Sequence, residues 1–159
     1  MDAIALLKED HDKAKKLMTE LEATTERGVK TREQKWTKLL KELTIHENIE
    51  EEIFYPALHE VDDKELKALV LEALEEHHLV DDIVEQLKGT PFEDEHWAAK
   101  FKVTKENVEH HIEEEETEMF KLVRKNFSKE ELEELGARME AAKAEQMAEA
   151  MPERDQVAL

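Results

Sequence analysis

Four stretches of this chain repeat apolar residues at spacings of three and four, and in each the repeat is broken by histidine where leucine belongs. The first runs Ile4, Leu7, His11, Ala14, Met18, Leu21, and the second Trp36, Leu39, Leu43, His46, Glu50, Ile53, Ala57. The third runs Leu66, Val70, Ala73, His77, Val80, Val84, Leu87. The fourth runs Trp97, Phe101, Thr104, Val108, His111, Glu115, then Leu122 after a slip. Such spacing is the seam of a left-handed helical bundle. A single core histidine is usually satisfied by a neighbour, but a carboxylate buried without a partner is costly. Four interrupted stripes, two of them also carrying Glu, call for a shared partner if the interruptions meet at one level.

The chain punctuates these stripes. Thr31 with Gln34, Asp62 with Glu65, Thr90 with Glu93 and Ser128 with Glu131 have the spacing of capping boxes. Pro91 follows Thr90 at a favoured first helical position, and Gly28 and Gly89 stand where helices should stop. The resulting segments are about 2–27, 31–60, 63–88, 91–127 and 129–150, the last with apolar Leu132, Leu135, Met139 and Ala142. The expected fold is all-α: an antiparallel up-down four-helix bundle over residues 1–127, with an additional C-terminal helix and tail over 128–159. That helix should pack along the outside or extend from the bundle, and the chain should fray from Met151.

Counting along these segments puts His11, His46 and His77 at one height in an up-down bundle with short turns. His111 fits only if the stretch from Gly89 to Glu95 is a loop or short turn and the fourth helix continues from about His96. There is also an internal repeat. Glu9-Asp10-His11 mirrors Glu75-Glu76-His77, and His46 to Glu50 mirrors His111 to Glu115. That pairing is the expected pattern for a bundle with approximate two-fold symmetry around a two-metal centre. His and Glu four apart share a helix face. Four imidazoles and two carboxylates without sulfur suit iron or manganese better than zinc or copper, and disfavour magnesium and calcium. Candidate metal ligands are therefore His11, His46, Glu50, His77, His111 and Glu115.

Composition removes competing classes. The net charge of −19 argues against nucleic acid and anionic membranes as partners. The lack of Cys excludes disulfides, iron–sulfur clusters and thiolate chemistry. No apolar run is long enough to span a membrane, and the N-terminus lacks a signal peptide, so the expected compartment is the cytoplasm.

The segments from His46 through Glu50 to Phe54-Tyr55-Pro56, and from His111 through Glu115 to Phe120, resemble the two hallmark helices of the hemerythrin-like, or HHE cation-binding, family. Asp10-His11 and Glu76-His77-His78 resemble its other two ligand positions, and the likeness covers about residues 1–127 as a single domain. The resemblance implies two iron ions with an oxo or hydroxo bridge, binding or reducing a small diatomic or peroxide ligand (O2, peroxide or NO) at an open iron position. The electron donor is unspecified. Oxygen-carrying members have a fifth His one turn before the third-helix ligand; here that position is Ala73. Asp81, Tyr55, His78 or water would fill the gap. Glu116 offers an alternative to Glu115, which is preferred for matching the His46-to-Glu50 spacing.

His59, His78, His96 and His110 lie off the stripes and read as surface residues or neighbours that steer a ligand. Asp10 and Glu76 are suited to holding a ligand imidazole. Phe54 reads as core packing, and Trp36 and Trp97 as anchors at the bundle end. The competing readings are an iron-responsive or metal-stabilised interaction module without turnover and a ferritin-like oxidase. The second needs two Glu-x-x-His motifs, and Glu75 to His78 supplies one.

Overall fold

The computed structural model describes residues 1–149, so the fraying expected from Met151 lies outside the described residues. Helix α1 spans Ala3–Glu22. Helix α2 runs over residues 29–59 as one rod: α-helix Val29–Ile49, a π-helical turn Glu50–Phe54, then α-helix Tyr55–His59. Helix α3 is Lys64–Lys88. Helix α4 covers residues 95–126, with α-helix Glu95–Glu114, a π-helical turn Glu115–Met119 and α-helix Phe120–Asn126. Helix α5 is Lys129–Ala148. Helix α1 packs on α2 and α4, and α3 packs on α4 and the end of α2, closing an antiparallel bundle. Helix α5 lies along the outside, over α1 and α2.

The caps show where local signals hold and where packing overrides them. The Ser128–Glu131 box forms in both directions. Thr31 with Gln34 does not cap: α2 already begins at Val29, with Gly28 as N-cap. One turn inside, Arg32 is buried and donates to the Thr24 carbonyl, the Thr24 hydroxyl and the Phe92 carbonyl, fixing the helix start from outside it. Asp63, not Asp62, caps α3, accepting from the Leu66 N–H and from the Asn126 amide. Thr90 does not open a helix; its hydroxyl donates to the Gln86 carbonyl, and Asp94 caps α4 instead. The break before Glu95 is the one the height of His111 demanded.

The two π turns shift the register of everything after them. At each, an N–H bonds the carbonyl five residues back, Tyr55 to Glu50 and Phe120 to Glu115. The extra residue turns Phe54 and Leu58 into the core in place of the expected Ile53 and Ala57, which are only partly buried. In α4, likewise, Met119, Phe120 and Val123 are buried while Leu122 is peripheral. π turns of this kind recur at functional sites, and both of these begin at a candidate carboxylate ligand.

Two apolar clusters fill the bundle. One holds Ile4, Leu7, Ile49, Phe54, Val70 and Phe120, and α5 adds Leu132, Leu135 and Met139 to it. The other, at the far end, holds Met18, Leu39, Val84 and Phe101 around Trp36 and Trp97, whose rings meet edge to face at 5.8 Å. The His and Glu residues lie between them. No helix among the described residues is long and apolar enough to cross a membrane.

Candidate metal centre

Every one of the six residues singled out by the stripes reaches this middle level. His11 comes from α1, His46 and Glu50 from α2, His77 from α3, and His111 and Glu115 from α4. Glu50 is 0% exposed and Glu115 1%, while His46, at 11% side-chain exposure, stands at the rim. Two carboxylates at this depth without compensation would cost several kcal/mol each.

The histidines are oriented by a closed ring of carboxylates. Asp10 of α1 accepts from Nδ1–H of His46 at 2.9 Å, and Glu51 of α2 from His77 at 2.8 Å. Glu76 of α3 accepts from His111 at 2.8 Å, and Glu116 of α4 from His11 at 2.6 Å. Each helix thus hands a carboxylate to the histidine of the next. With Nδ1 protonated, each Nε2 presents a lone pair to the interior, the arrangement in which metal-bound imidazoles are held. Asp10 and Glu76 were legible as such partners. Glu51 was missed, although it and Glu116 hold the same position in the repeat, one residue after Glu50 and Glu115. Glu116 therefore sits outside the centre and Glu115 inside it.

Inside, acceptors face acceptors. Nε2 of His11 lies 3.1 Å from Glu115 Oε1, and Nε2 of His111 3.3 Å from Glu115 Oε2. Glu50 Oε1 lies 3.3 Å from His46 Nε2 and 3.2 Å from His77 Nε2. The Nε2 atoms of His77 and His111 are 3.2 Å apart. Nε2 of His11 and His46, both Glu50 oxygens and Glu115 Oε1 have no hydrogen-bond partner. Unpartnered nitrogens and carboxylate oxygens buried face to face call for positive charge between them, from a bound cation or, without one, from protons on the imidazoles. The donor atoms form two overlapping groups, His11, His46, Glu50 and Glu115, and Glu50, His77 and His111, each within 4.8 Å. Glu50 belongs to both, and Glu115 aims one oxygen at each side.

The electrostatics without a cation tell the same story. Burial by itself would lower the His46 pKa, but the Glu50 charge and the Asp10 hydrogen bond raise it to about 10. His77 rises to about 9 through Glu50 and Glu47 despite its burial. Against its own desolvation, Glu50 is held well below the usual carboxylate range by the surrounding imidazoles. Protons are thus the default counter-charge here, and a metal would displace them.

The positions offered in place of the missing fifth His divide clearly. Asp81 and His78 are exposed, His78 lying 3.5 Å from Glu75. Tyr55 is buried, its hydroxyl donating to Glu115 Oε2 at 2.6 Å and its ring 5.6 Å from that of His77. Ala73 is buried and brings no donor. On the other face of the centre, a partly enclosed cavity of about 100 Å³ adjoins all four histidines. Ala14, Leu43, Val80 and Val108, one turn beyond the histidines, line it, and Lys13, Glu42, Lys143 and Met147 stand at its outer edge. Of the histidines set aside, His59, His78, His96 and His110 are all exposed.

Comparison with known proteins agrees with this geometry. Residues 2–123 match the family profile of the hemerythrin HHE cation-binding domain. The crystal structure of a hemerythrin HHE cation-binding domain-containing protein from Mycobacterium kansasii superimposes with a TM-score of 0.81 at 30% identity, covering 92% of this chain and 87% of that one. Comparison with curated proteins gives no match. With the family matched over most of its length, and a helical bundle that gathers His and Glu at one level, this chain belongs to the hemerythrin HHE cation-binding domain family.

Proposed function

We propose that the chain holds a bridged pair of iron ions and uses them to bind or reduce a small oxidant such as O2, peroxide or NO. His11 and His46 would hold one ion and His77 and His111 the other, with Glu50 and Glu115 shared. The observation that carries this reading is the set of inward Nε2 lone pairs, each fixed by a carboxylate on Nδ1, around carboxylate oxygens that lack partners. Nitrogen and oxygen donors without sulfur favour iron or manganese over zinc. When bound, a reduced iron pair supplies up to two electrons and a Lewis-acidic position for the oxidant.

The chain's own residues do the rest. The cavity beside the histidines, with its apolar wall of Ala14, Leu43, Val80 and Val108, has room for a diatomic or peroxide ligand and limits bulk water. Tyr55 orients Glu115 through its hydroxyl hydrogen bond, and burial together with the Glu115 charge keeps that hydroxyl protonated. Phe120 lies parallel to the His11 ring at 6.1 Å and closes the opposite face.

Metal analysis together with the visible absorption spectrum tests the reading. About two irons per chain with oxo-to-iron charge-transfer bands, perturbed on adding azide, peroxide or NO, is the expected result. Iron without any response to these ligands would leave a metal-stabilised interaction module. One tightly held zinc would overturn the redox reading.

A further inference from the structure

The four carboxylates of the outer ring are not equivalent. Glu51, Glu76 and Glu116 carry no lysine or arginine among the described residues. Asp10 does: Lys143 of α5 places its ammonium on Asp10 Oδ1, while Asp10 Oδ2 holds Nδ1 of His46 at 2.9 Å. The pair is largely shielded, with side-chain exposures of 27% for Lys143 and 11% for Asp10, so it is weakly screened by salt. A helix outside the four-helix bundle is thus joined to the centre by two contacts, Lys143 to Asp10 and Asp10 to His46.

We propose that Lys143 is a positioning residue for the His11–His46 side of the metal centre, acting through Asp10 on His46. A carboxylate on Nδ1–H locks an imidazole ring and strengthens Nε2 as a donor. A cation on that same carboxylate keeps Asp10 ionised and fixed in place, which tightens the lock on His46. His46 is therefore the most firmly oriented of the four donors. The two metal positions, built from matching halves of the sequence, are made unequal by a residue outside both halves.

Docking of α5 does not depend on this contact. Leu132, Leu135 and Met139 are buried in the bundle cluster, Asn48 donates to Gln146 Oε1 at 3.1 Å, and Lys41 donates to the Met147 carbonyl at 3.0 Å. Lys143 is therefore free to be exchanged without losing the helix.

The inference rests on the two-ion reading of the site, and the test separates them. Anaerobic titration with Co2+, followed by its visible bands, is run on the intact wild type, Lys143→Met, Lys143→Arg and Gln146→Ala. Lys143→Met is expected to weaken one of two binding steps roughly 3- to 10-fold and to shift the bands of that ion alone. Lys143→Arg should restore both. Gln146→Ala, which loosens α5 without touching Asp10, should leave both steps unchanged, and metal-free Lys143→Met should keep the wild-type helicity. Equal weakening of both steps, no weakening, a Gln146→Ala variant that copies Lys143→Met, or failure of Lys143→Arg to rescue would each overturn the role of Lys143. Wild type that takes up fewer than two cobalt ions would overturn the two-ion reading and this inference with it.

Discussion

The His11–His46 and His77–His111 sides of the centre are assembled from the same parts, and their surroundings differ. On both, two imidazoles face in, two carboxylates hold their outer nitrogens, and Glu50 and Glu115 reach across. The first side lies beneath α5 and is tied to it through Asp10 and Lys143. The second has Tyr55 beside His77, and its two Nε2 atoms approach within 3.2 Å. Its outer rim is an acid cluster in which Glu114 is raised to about 8, first by its hydrogen bond with Glu76 and then by burial. A duplicated pattern thus yields two similar sets of candidate donors whose surroundings are made different by elements outside the repeat.

The most severe break in this comparison removes a group that both sides share. Glu50→Ala is expected to reduce bound metal from the two ions per chain of the proposed centre to less than one, read by elemental analysis. Retention of one full equivalent would show that the sides bind independently. Next comes a change confined to one side. His77→Ala should cost about one ion and leave His11 and His46 loaded, and His11→Ala should do the reverse; loss of both ions from either variant would mean that the sides cannot be separated.

A third change acts from outside. Gly136 of α5 is packed so closely on the start of α1 that an added Cβ would lie 2.3 Å from the Met1 carbonyl oxygen and 2.7 Å from the Asp2 carbonyl carbon. Backbone cannot yield as a flexible side chain does, so Gly136→Ala should destabilise by roughly 1–3 kcal/mol, read as a lowered Tm. Chelator should then strip the α1–α2 side before the other.

The metal-free protein should also lose stability as pH rises. The folded pKa values of about 9 for His77 and about 10 for His46 exceed the unfolded value near 6.5. Their stabilisation is therefore complete below about pH 6.5 and is lost as pH rises through those folded values, and His111, raised against its burial well above its ordinary value by the Glu115 charge, adds the same sign. Glu47, raised to about 9 chiefly by burial, adds the same sign, since the folded state keeps a proton that the unfolded state has released above about 4.5. Denaturant midpoints should fall from pH 6 to pH 10 without metal and stay flatter with it. The smallest effect is expected at His59, which is exposed at the end of α2: His59→Ala should leave metal content unchanged.

Much of this was readable before folding because it rests on periodicity and residue chemistry. His and Glu at core positions are anomalous in any helical bundle, and counting from the segment ends puts His11, His46 and His77 at one height, with His111 joining them only once the fourth helix begins near His96. The errors have local causes. Asp62 and Asp63 are adjacent and chemically alike, and the contact of Asp63 with Asn126, 63 residues away, is not a local signal. Ile53 and Ala57 were expected in the core because a regular helix was assumed. The run Glu50, Phe54, Leu58 steps by four twice, as does Glu115, Met119, Val123, and that doubled step was the available sign of the π turns.

Sequence alone determined the helices, the level at which polar groups interrupt them and the donor chemistry gathered there, because these follow from spacing along one rod and from the cost of burying charge. Tertiary structure decided which carboxylate holds which imidazole, that Glu115 faces inward and Glu116 outward, and that Lys143 reaches Asp10 across 133 residues of chain. Those pairings depend on how neighbouring helices are rotated and stacked against one another, which no single helix encodes.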